Sequence, residues 1–127
     1  MNDIKEKVWF VTGAGKGIGK AIVSAALKHG NCVNATTRTA SEIIIPDKYK
    51  SRILPLQLDV SCTDETVYKT IIQKSLETFG RIDVLVNNAG LGGITNFEET
   101  SEETIRKMFE VNLFGLMRVT RAVLPIM

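Results

Sequence analysis

The sequence predicts an α/β fold built on a doubly wound parallel sheet. Short apolar runs rich in β-branched residues alternate along the chain with stretches whose apolar residues recur at helical spacing. Strands that alternate with helices require a parallel sheet with helices on both faces. Right-handed crossovers then place the third strand outermost and the fourth beside the first, which is a Rossmann-like order. A chain of 127 residues forms one domain at most.

The first strand–helix junction is the most informative stretch. The apolar run Val8–Val11 leads into four glycines within seven residues, and a helix is predicted from Gly17 to His29. This geometry can hold a dinucleotide pyrophosphate, because glycine lets the backbone approach the ligand and the helix N-terminus offers free N–H groups. Taken alone, the segment is also compatible with a purely structural turn, which is the less favoured alternative. The face of this helix expected to pack on the sheet comprises Ile18, Ile22, Ala25, Ala26 and His29.

The middle of the chain supplies two more strands. The second is predicted in Cys32–Thr37 and the third in Ile53–Leu58, whose Pro55 suits the edge of a sheet. Between them, residues 38–46 are compatible with one helical turn stopped by a proline or with extended structure, and residues 47–52 with a polar loop.

Two helices and a fourth strand complete the predicted fold. The second helix begins with the capping residues Ser61–Asp64 and ends at Gly80; the fourth strand, Ile82–Val86, precedes a loop over Asn87–Phe97. The last helix is capped by residues 100–103 and runs to the end of the sequence. The apolar stripe expected on the second helix is Val67, Ile71, Ile72, Leu76 and Phe79. The buried face expected on the last helix is Ile105, Met108, Phe109, Asn112, Leu116, Val119 and Val123. Because the fourth strand is left as an apolar edge, the sheet is expected to be truncated after it and its following helix.

Composition and charge argue against several classes of protein. The net charge of +2, from 16 basic and 14 acidic side chains, is too balanced for nucleic acid or an anionic membrane to be the main partner. The longest run without a charged residue, Val84–Phe97, is rich in glycine and too short to span a bilayer. Residues 1–7 lack the apolar core of a signal peptide, and Cys32 and Cys62 have no metal-binding spacing, so a cytoplasmic protein without a metal site is expected. The single histidine, His29, suits a helix C-terminus better than a catalytic site.

The residues after the second strand discriminate between two dinucleotides. A site for NAD(H) would place Asp or Glu about 20 residues past the glycines, to accept hydrogen bonds from ribose hydroxyls. Arg38 stands there, 19 residues past Gly19, and Glu42 is too far along to supply the missing carboxylate. A guanidinium at this position suits a 2′-phosphate, and Lys16 adds a second positive charge within the glycine turn. The sequence therefore favours NADP(H) over NAD(H), against the alternative that both cations are solvated surface residues.

Three further polar positions follow strands or interrupt a helix. Asp59 follows the third strand, where its carboxylate is placed either to accept from an adenine amino group or to cap the next helix. Asn87–Gly90 follows the fourth strand, at the end where open parallel sheets bind ligands, and its amides can bridge neighbouring loops. Asn112 interrupts the apolar stripe of the last helix, where a buried amide has to tie down backbone or hold water.

Together these motifs resemble those of the short-chain dehydrogenase/reductase family. The residues that carry the resemblance are Thr12–Gly19, Leu58–Val60, Gly80–Gly90 and Val111–Gly115, in family order and across essentially the whole chain. The resemblance implies that the glycine turn holds the pyrophosphate, that Lys16 and Arg38 meet the 2′-phosphate of NADP(H), and that Asn112 supports a proton relay. The cofactor-binding positions that it implies are Gly13, Lys16, Gly17, Ile18, Gly19 and Arg38, with Asp59 and Val60 beside the adenine and Asn88, Ala89 and Gly90 on the ribose side.

The sequence departs from the family pattern in its catalytic residues. Family members use a serine and a Tyr-x-x-x-Lys pair, in which the lysine lowers the tyrosine pKa for proton transfer. Neither Tyr49 nor Tyr68 has a lysine four positions later, so of the catalytic set only Asn112 is present. Residues 1–127 are therefore interpreted as the N-terminal, NADP(H)-binding half of a longer enzyme, without its C-terminal catalytic half.

The resemblance implies an NADP(H)-dependent oxidoreductase that interconverts a carbonyl and a secondary alcohol of a small-molecule substrate by hydride transfer. This half is expected to be inactive and poorly stable alone, and homo-oligomers are expected to form through the apolar last helix. The alternative is a non-catalytic NADP(H)-binding sensor or interaction module. A methyltransferase-type nucleotide fold also uses a glycine-rich first turn, but Arg38 and Asn87–Gly90 argue against it.

Overall fold

A four-stranded parallel sheet forms the centre of the molecule. The computed structural model describes residues 5–93 and 95–127. The strands are β1, Val8–Val11; β2, Cys32–Thr37; β3, Ile53–Gln57; and β4, Val84–Val86. Their order is β3-β2-β1-β4, so the predicted Rossmann-like order is confirmed and Pro55 lies in an edge strand as expected. Residues 1–4 of the charged N-terminal segment, and Ile94 of the loop predicted after the fourth strand, lie outside the described residues.

The helices occur where the sequence predicts them, with one irregularity. They are α1, Gly17–Lys28; α2, Glu65–Phe79; α3, Glu102–Phe109; and α4, Leu116–Val123. A π-helical stretch, Glu110–Gly115, joins α3 to α4 and is called the π segment below. Short 3₁₀ turns occupy Ala40–Glu42, Asp47–Tyr49, Phe97–Glu99 and Leu124–Ile126.

Two strand boundaries differ from the predicted ones. Strand β3 ends one residue early, at Gln57, and β4 begins at Val84, two residues later than predicted. The second difference has a local cause, since the N–H of Val8 donates to the Asp83 carboxylate at 2.8 Å and not to a carbonyl of the neighbouring strand. Boundary differences of this size are normal for short strands.

Each face of the sheet has its own core, which is the doubly wound arrangement that the sequence predicts. Helix α1 covers one face, where the buried apolar residues are Val11, Ala14, Val23, Ala26, Leu27, Val33, Ala35 and Ile53. Helices α2 and α4 cover the other face, where they are Phe10, Leu56, Leu58, Val60, Tyr68, Ile71, Ile72, Ile82, Val119 and Val123.

The buried face of α1 differs from the predicted one. The buried residues are Gly19, Val23, Ala26 and Leu27. Ile18 is 74% exposed, Ala25 and His29 are exposed, and Ile22 is half-buried. The cause is Gly19. A Cβ on this residue would overlap the carbonyl oxygen of Gly13, so no side chain fits at this position. This contact sets the rotation of the helix, and the residues at i+4, i+7 and i+8 from Gly19 then face the sheet.

Helix α2 follows its prediction more closely. Asp64 caps it by accepting a hydrogen bond from the N–H of Thr66 at 2.9 Å, and Gly80 ends it in the left-handed conformation. Its buried residues are Tyr68, Ile71, Ile72 and Ser75, whereas Val67, Leu76 and Phe79 of the expected stripe are half-buried.

The last helix departs most from its prediction. Only Gly115, Val119 and Val123 are buried, and Phe109 and Leu116 of the expected face are exposed. Val119 and Val123 of the expected face are buried as predicted, and the helix contains the irregular π segment between Phe109 and Leu116. Within residues 5–93 and 95–127, no helix combines the length and apolar character that crossing a bilayer requires.

Candidate nucleotide-binding site

The candidate site lies at the carboxyl ends of the strands, where parallel strands bring their following loops together. Strand β1 leads into the glycine turn, residues 12–17, and β4 leads into the segment Asn87–Gly90. Hydrogen bonds tie the glycine turn to both neighbouring strands: Thr12 N–H donates to the Val86 carbonyl at 3.1 Å, and Ala14 N–H to the Thr36 carbonyl at 2.9 Å.

Two glycines of the turn take positive φ, and each has a different environment. Gly13 has φ 63°, and a Cβ on it would lie 2.9 Å from the Cα of Ala89 and from Nδ2 of Asn88. Gly17 has φ 57°, and, apart from its chain neighbours and the backbone of its own helix, no atom of the described residues lies within 4 Å of where its Cβ would be. Gly13 is thus required for packing between the turn and the β4 loop, whereas the space in front of Gly17 is open to a ligand.

Asn88 and Thr12 lock the turn to the loop after β4. The side-chain amide of Asn88 donates to the carbonyls of Thr12 and Gly13, both at 3.1 Å. In return, the backbone N–H groups of Asn88 and Ala89 donate to the Thr12 hydroxyl at 3.1 and 3.0 Å. The prediction that an asparagine here bridges backbone groups of neighbouring loops is confirmed for Asn88. Asn87 instead donates to the hydroxyl of Thr120 on α4, at 3.0 Å.

Asn112 lies in the π segment and holds the same loop from the other side. Its amide nitrogen donates to the Leu91 carbonyl at 2.8 Å, and its oxygen accepts from the Leu91 N–H at 2.7 Å. Gly90 lies beside it, since a Cβ there would be 3.5 Å from the Asn112 oxygen. The expectation that Asn112 is buried is wrong, because the residue is exposed; that its amide ties down backbone is confirmed.

Asp59 and Val60 follow β3 and face different surroundings. The Asp59 carboxylate accepts from the Ser61 hydroxyl at 2.6 Å and from the Ser61 N–H at 2.9 Å, and Asp64, not Asp59, caps α2. The hydroxyl hydrogen bond is the main cause that lowers the Asp59 pKa, and the charges of Arg38 and Lys107 lower it further. Val60 is buried, and its carbonyl lies 2.7 Å from where a Cβ on Gly115 would be, so a side chain at that position of the last helix is excluded.

Both cations predicted at the adenosine end are exposed. Lys16 is the N-cap residue of α1 and makes no side-chain capping hydrogen bond. Arg38 directly follows β2, on the side from which its charge reaches Asp59. Since the first turn of α1 also carries no acidic side chain, its N–H groups and Lys16 present a positive end to the open space at Gly17.

The structure brings one unexpected residue into this site. The expectation that Glu42 is too far along the chain is wrong, because the 3₁₀ turn Ala40–Glu42 folds its side chain back to the end of β2. The Thr37 hydroxyl donates to Oε2 of Glu42 at 3.4 Å, and the same oxygen lies 3.1 Å from where a Cβ on Gly15 would be. Counting residues along the sequence does not show that a turn brings a side chain back toward the preceding strand.

The contacts of the two tyrosines lie outside the glycine turn and the segment Asn87–Gly90. The Tyr68 hydroxyl lies 2.8 Å from the Cys62 carbonyl and 3.0 Å from the Val60 carbonyl, to one of which it donates, and burial raises its pKa. The ring of Tyr49 lies under the cationic groups of Lys48 and Arg52, at 4.9 and 5.2 Å from its centre.

Thr12 and Leu91 are site residues that the sequence reasoning missed. The hydroxyl of Thr12 accepts two backbone hydrogen bonds, and the backbone of Leu91 receives the Asn112 amide. A threonine that ends a buried strand immediately before a glycine turn is a usable signal for the first. Leu91 carries no signal, because only its backbone takes part.

The residues present fit a dinucleotide. A backbone cradle at Gly13–Gly17 opens at the N-terminus of α1, with the exposed cation Lys16 at that terminus and the exposed cation Arg38 directly after β2. A pyrophosphate needs backbone donors without side chains in front of them, and this turn provides that arrangement.

Comparison with known proteins agrees with this geometry. The short chain dehydrogenase family profile matches residues 7–127. Oxidoreductase BOA17 of Botryotinia fuckeliana is 39% identical over 95% of this chain and 44% of its own length. The chain thus spans about half the length of the curated relatives that it matches.

Two solved structures with bound nicotinamide nucleotides superimpose on the chain. The 3-ketoacyl-(acyl-carrier-protein) reductase from Brucella melitensis, complexed with NADH, has a TM-score of 0.85 and 30% identity over 94% of this chain and 50% of that one. The alcohol dehydrogenase from Thermococcus sibiricus, complexed with 5-hydroxy-NADP, has a TM-score of 0.82 and 35% identity over 96% of this chain and 53% of that one. With a family profile over residues 7–127 and this cradle, the chain belongs to the short-chain dehydrogenase family of oxidoreductases, which bind a nicotinamide cofactor.

Proposed function

We propose that this chain is the cofactor-binding half of a cytoplasmic, NADP(H)-dependent oxidoreductase that interconverts a carbonyl and a secondary alcohol of a small molecule. Residues 1–127 form its NADP(H)-binding Rossmann-like domain, and the remaining catalytic half belongs to sequence outside these residues. When bound, the nicotinamide accepts or donates the hydride. The 127 residues bind and orient that cofactor.

The observation that carries the proposal is the glycine turn with open space in front of Gly17. The Thr12 hydroxyl and the Asn88 amide hold this turn in place before any ligand arrives, so little ordering free energy is spent on binding. We assign the pyrophosphate to the backbone of Gly13, Gly17 and Gly19 and to the N–H of Ile18, the second residue of α1.

The two ends of the cofactor meet different groups. We assign the 2′-phosphate to Lys16 and Arg38, because both are exposed cations next to the cradle. The adenine lies beside Asp59 and Val60. The ribose on the nicotinamide side lies along Asn88, Ala89 and Gly90, where the Asn88 side chain is committed to the turn and its neighbours offer backbone.

Asn112 acts in this proposal as a positioning residue that supports a proton relay. Its two hydrogen bonds to Leu91 fix the loop that follows Gly90, at the nicotinamide end of the site. We assign the acid–base pair for the accompanying proton to residues outside this sequence, because neither Tyr49 nor Tyr68 is followed by a lysine four positions later.

Calorimetric titration of the intact protein, as its source makes it, tests the proposal. We expect NADPH to bind more tightly than NADH. The substitution Arg38→Leu should raise the dissociation constant of NADPH several-fold and leave that of NADH almost unchanged. Lys74→Leu, an exposed cation on α2, is the matched control and should change neither. Absence of NADPH binding would refute the proposal. Tight binding without turnover of ketones or secondary alcohols would favour the non-catalytic sensor or interaction module instead.

A further inference from the structure

Glu42 occupies the adenosine end of the cradle, and the cofactor assignments above do not use it. Its carboxylate lies over Gly15, with Oε2 at 3.1 Å from where a Cβ of that glycine would be. The Thr37 hydroxyl donates to the same oxygen at 3.4 Å. Thr37 is the last residue of β2 and is buried, so this hydroxyl has a fixed position.

The backbone around Glu42 is anchored. Its N–H donates to the Thr39 carbonyl at 3.0 Å, and the next N–H, of Ile43, donates to the Ala40 carbonyl at 3.1 Å. The Ile43 side chain packs against the core between α1 and the sheet. The backbone that carries this exposed side chain is therefore fixed beside the glycine turn, and the Thr37 hydroxyl is its hydrogen-bond partner there.

The end of the site beyond β2 thus contains both signs of charge. Lys16 and Arg38 suit a phosphate, whereas a carboxylate near the end of β2 suits ribose hydroxyls, which donate to it. The Arg38 charge also contributes to lowering the pKa of Asp59, which follows β3. Glu42 lies at the glycine turn itself.

We propose that Glu42 sets how strongly the site discriminates between NADP(H) and NAD(H). Its carboxylate accepts a hydrogen bond from a ribose hydroxyl of NAD(H) and repels the 2′-phosphate of NADP(H), in opposition to Lys16 and Arg38. The inference rests on the proposed function, because it assumes that a nicotinamide dinucleotide binds in the cradle. It predicts a site with a modest preference, in which NAD(H) remains a usable ligand.

The substitution Glu42→Gln isolates the charge. Glutamine keeps the shape and an oxygen that accepts from Thr37, so the segment should remain folded. NADP⁺ and NAD⁺ differ only in the 2′-phosphate, which carries a charge of about −1.5 to −2 at neutral pH. Their dissociation constants, measured by calorimetry on the intact protein at fixed low salt, report the discrimination without any turnover.

We expect Glu42→Gln to tighten NADP⁺ binding about tenfold, because one carboxylate no longer opposes a nearby phosphate. NAD⁺ should bind about threefold more weakly, because a charged acceptor is replaced by a neutral one. The control is Glu77→Gln, which removes the same charge from the exposed surface of α2, near the end that leads to the amino end of β4. It should leave the ratio of the two dissociation constants unchanged.

The outcomes separate this inference from the proposed function. A ratio that moves no more in Glu42→Gln than in Glu77→Gln overturns the inference and leaves the proposed function in place. A wild-type protein that prefers NAD⁺, with a ratio that still moves about thirtyfold toward NADP⁺ in Glu42→Gln, supports the inference and refutes the NADP(H) preference. Binding of neither cofactor to the wild type overturns both.

Discussion

The hydroxyl of Thr12 joins two loops that lie 76 residues apart in the chain. It accepts the N–H groups of Asn88 and Ala89, and Thr12 itself is 1% exposed. Water therefore has little access to these donors if the hydroxyl is removed. A single buried oxygen thus joins the two backbone segments, the glycine turn and the loop after β4, that form the candidate site.

Replacing Thr12 with valine, which keeps the shape and removes the hydroxyl, should lower the free energy of unfolding by about 3 kcal/mol. Two backbone donors then lose their acceptor in a buried environment. Thr12→Ser, which retains the oxygen, should cost about 1 kcal/mol or less. Urea denaturation of both variants measures the difference, and equal stabilities would show that the hydroxyl does not hold the loops.

Cys32 provides a pH-dependent test at the start of β2. Burial, together with a hydrogen bond from its thiol to the Glu6 carboxylate at 2.6 Å, raises the pKa of Cys32 to about 12. A thiol in the unfolded chain ionises near about pH 8.5, so the unfolded state loses its proton first as the pH rises. The stabilising contribution is complete below that pH and declines as the pH approaches the folded-state value.

We therefore expect the stability of the wild type relative to Cys32→Ser to fall as the pH rises from about 8.5 toward about 12. Serine does not ionise in this range, so it removes the thiol titration and leaves the other groups in place. Denaturation curves at a series of pH values give the comparison. Parallel pH profiles for the two proteins would contradict the assignment.

Helix α1 shows how a backbone contact orients a whole element. Gly19 lies against the Gly13 carbonyl, and this close approach sets which residues of the helix face the sheet. An alanine normally favours a helix by about 1 kcal/mol over glycine. At this position a Cβ would clash with the Gly13 carbonyl, and this clash outweighs the helical preference of alanine.

Gly19→Ala should destabilise the protein by about 2–3 kcal/mol, because its Cβ would overlap backbone that cannot move without disturbing the glycine turn. It should also weaken cofactor binding, since the turn is the cradle. Lys20→Ala, at the next and exposed position of the same helix, should be neutral within about 0.5 kcal/mol. A Gly19→Ala variant as stable as Lys20→Ala would show that the turn adapts.

The π segment is the corresponding feature of the last helix. It places Asn112 where both ends of the amide reach Leu91, and it leaves Val119 and Val123 facing the core. The π segment thus carries the side chain that anchors the loop after Gly90 at the candidate site.

At the scale of the whole molecule, the last helix exposes a broad apolar surface. The exposed fractions are 57% for Phe109, 43% for Leu113 and 43% for Met117, and these residues recur at intervals of four. We propose that this surface pairs with a second copy of the protein, since contiguous apolar patches on soluble proteins commonly mark interfaces.

Introducing a charge at the centre of this surface should prevent self-association. We expect the wild type to sediment as an oligomer and Met117→Glu to shift toward the monomer, because a carboxylate cannot be buried there without a partner. Ser51→Glu, an exposed turn residue away from the last helix, adds the same charge and should not change the sedimentation coefficient. A monomeric wild type would refute the proposal.

Much of this architecture was predictable from the sequence. Strand alternation predicts the sheet order, Pro55 predicts an edge strand, and Gly80 predicts a helix end, because each depends on local pattern or on a general rule of connection. The bridging role of Asn88 was predictable for the same reason. The role of Thr12 and the position of Glu42 were not, since both depend on which loops meet in space.

The sequence by itself determined the fold, the location of the glycine cradle and the membership of a nicotinamide-binding family, because periodicity, turn chemistry and motif spacing are properties of the chain. Only the tertiary structure decided which side of each helix is buried and which side chains reach the cradle. Gly19 sets the rotation of α1, the π segment presents Asn112 to Leu91, and a 3₁₀ turn brings Glu42 back over Gly15. These outcomes depend on contacts between residues far apart in sequence or on a local departure from regular geometry, and neither is encoded in a repeating pattern.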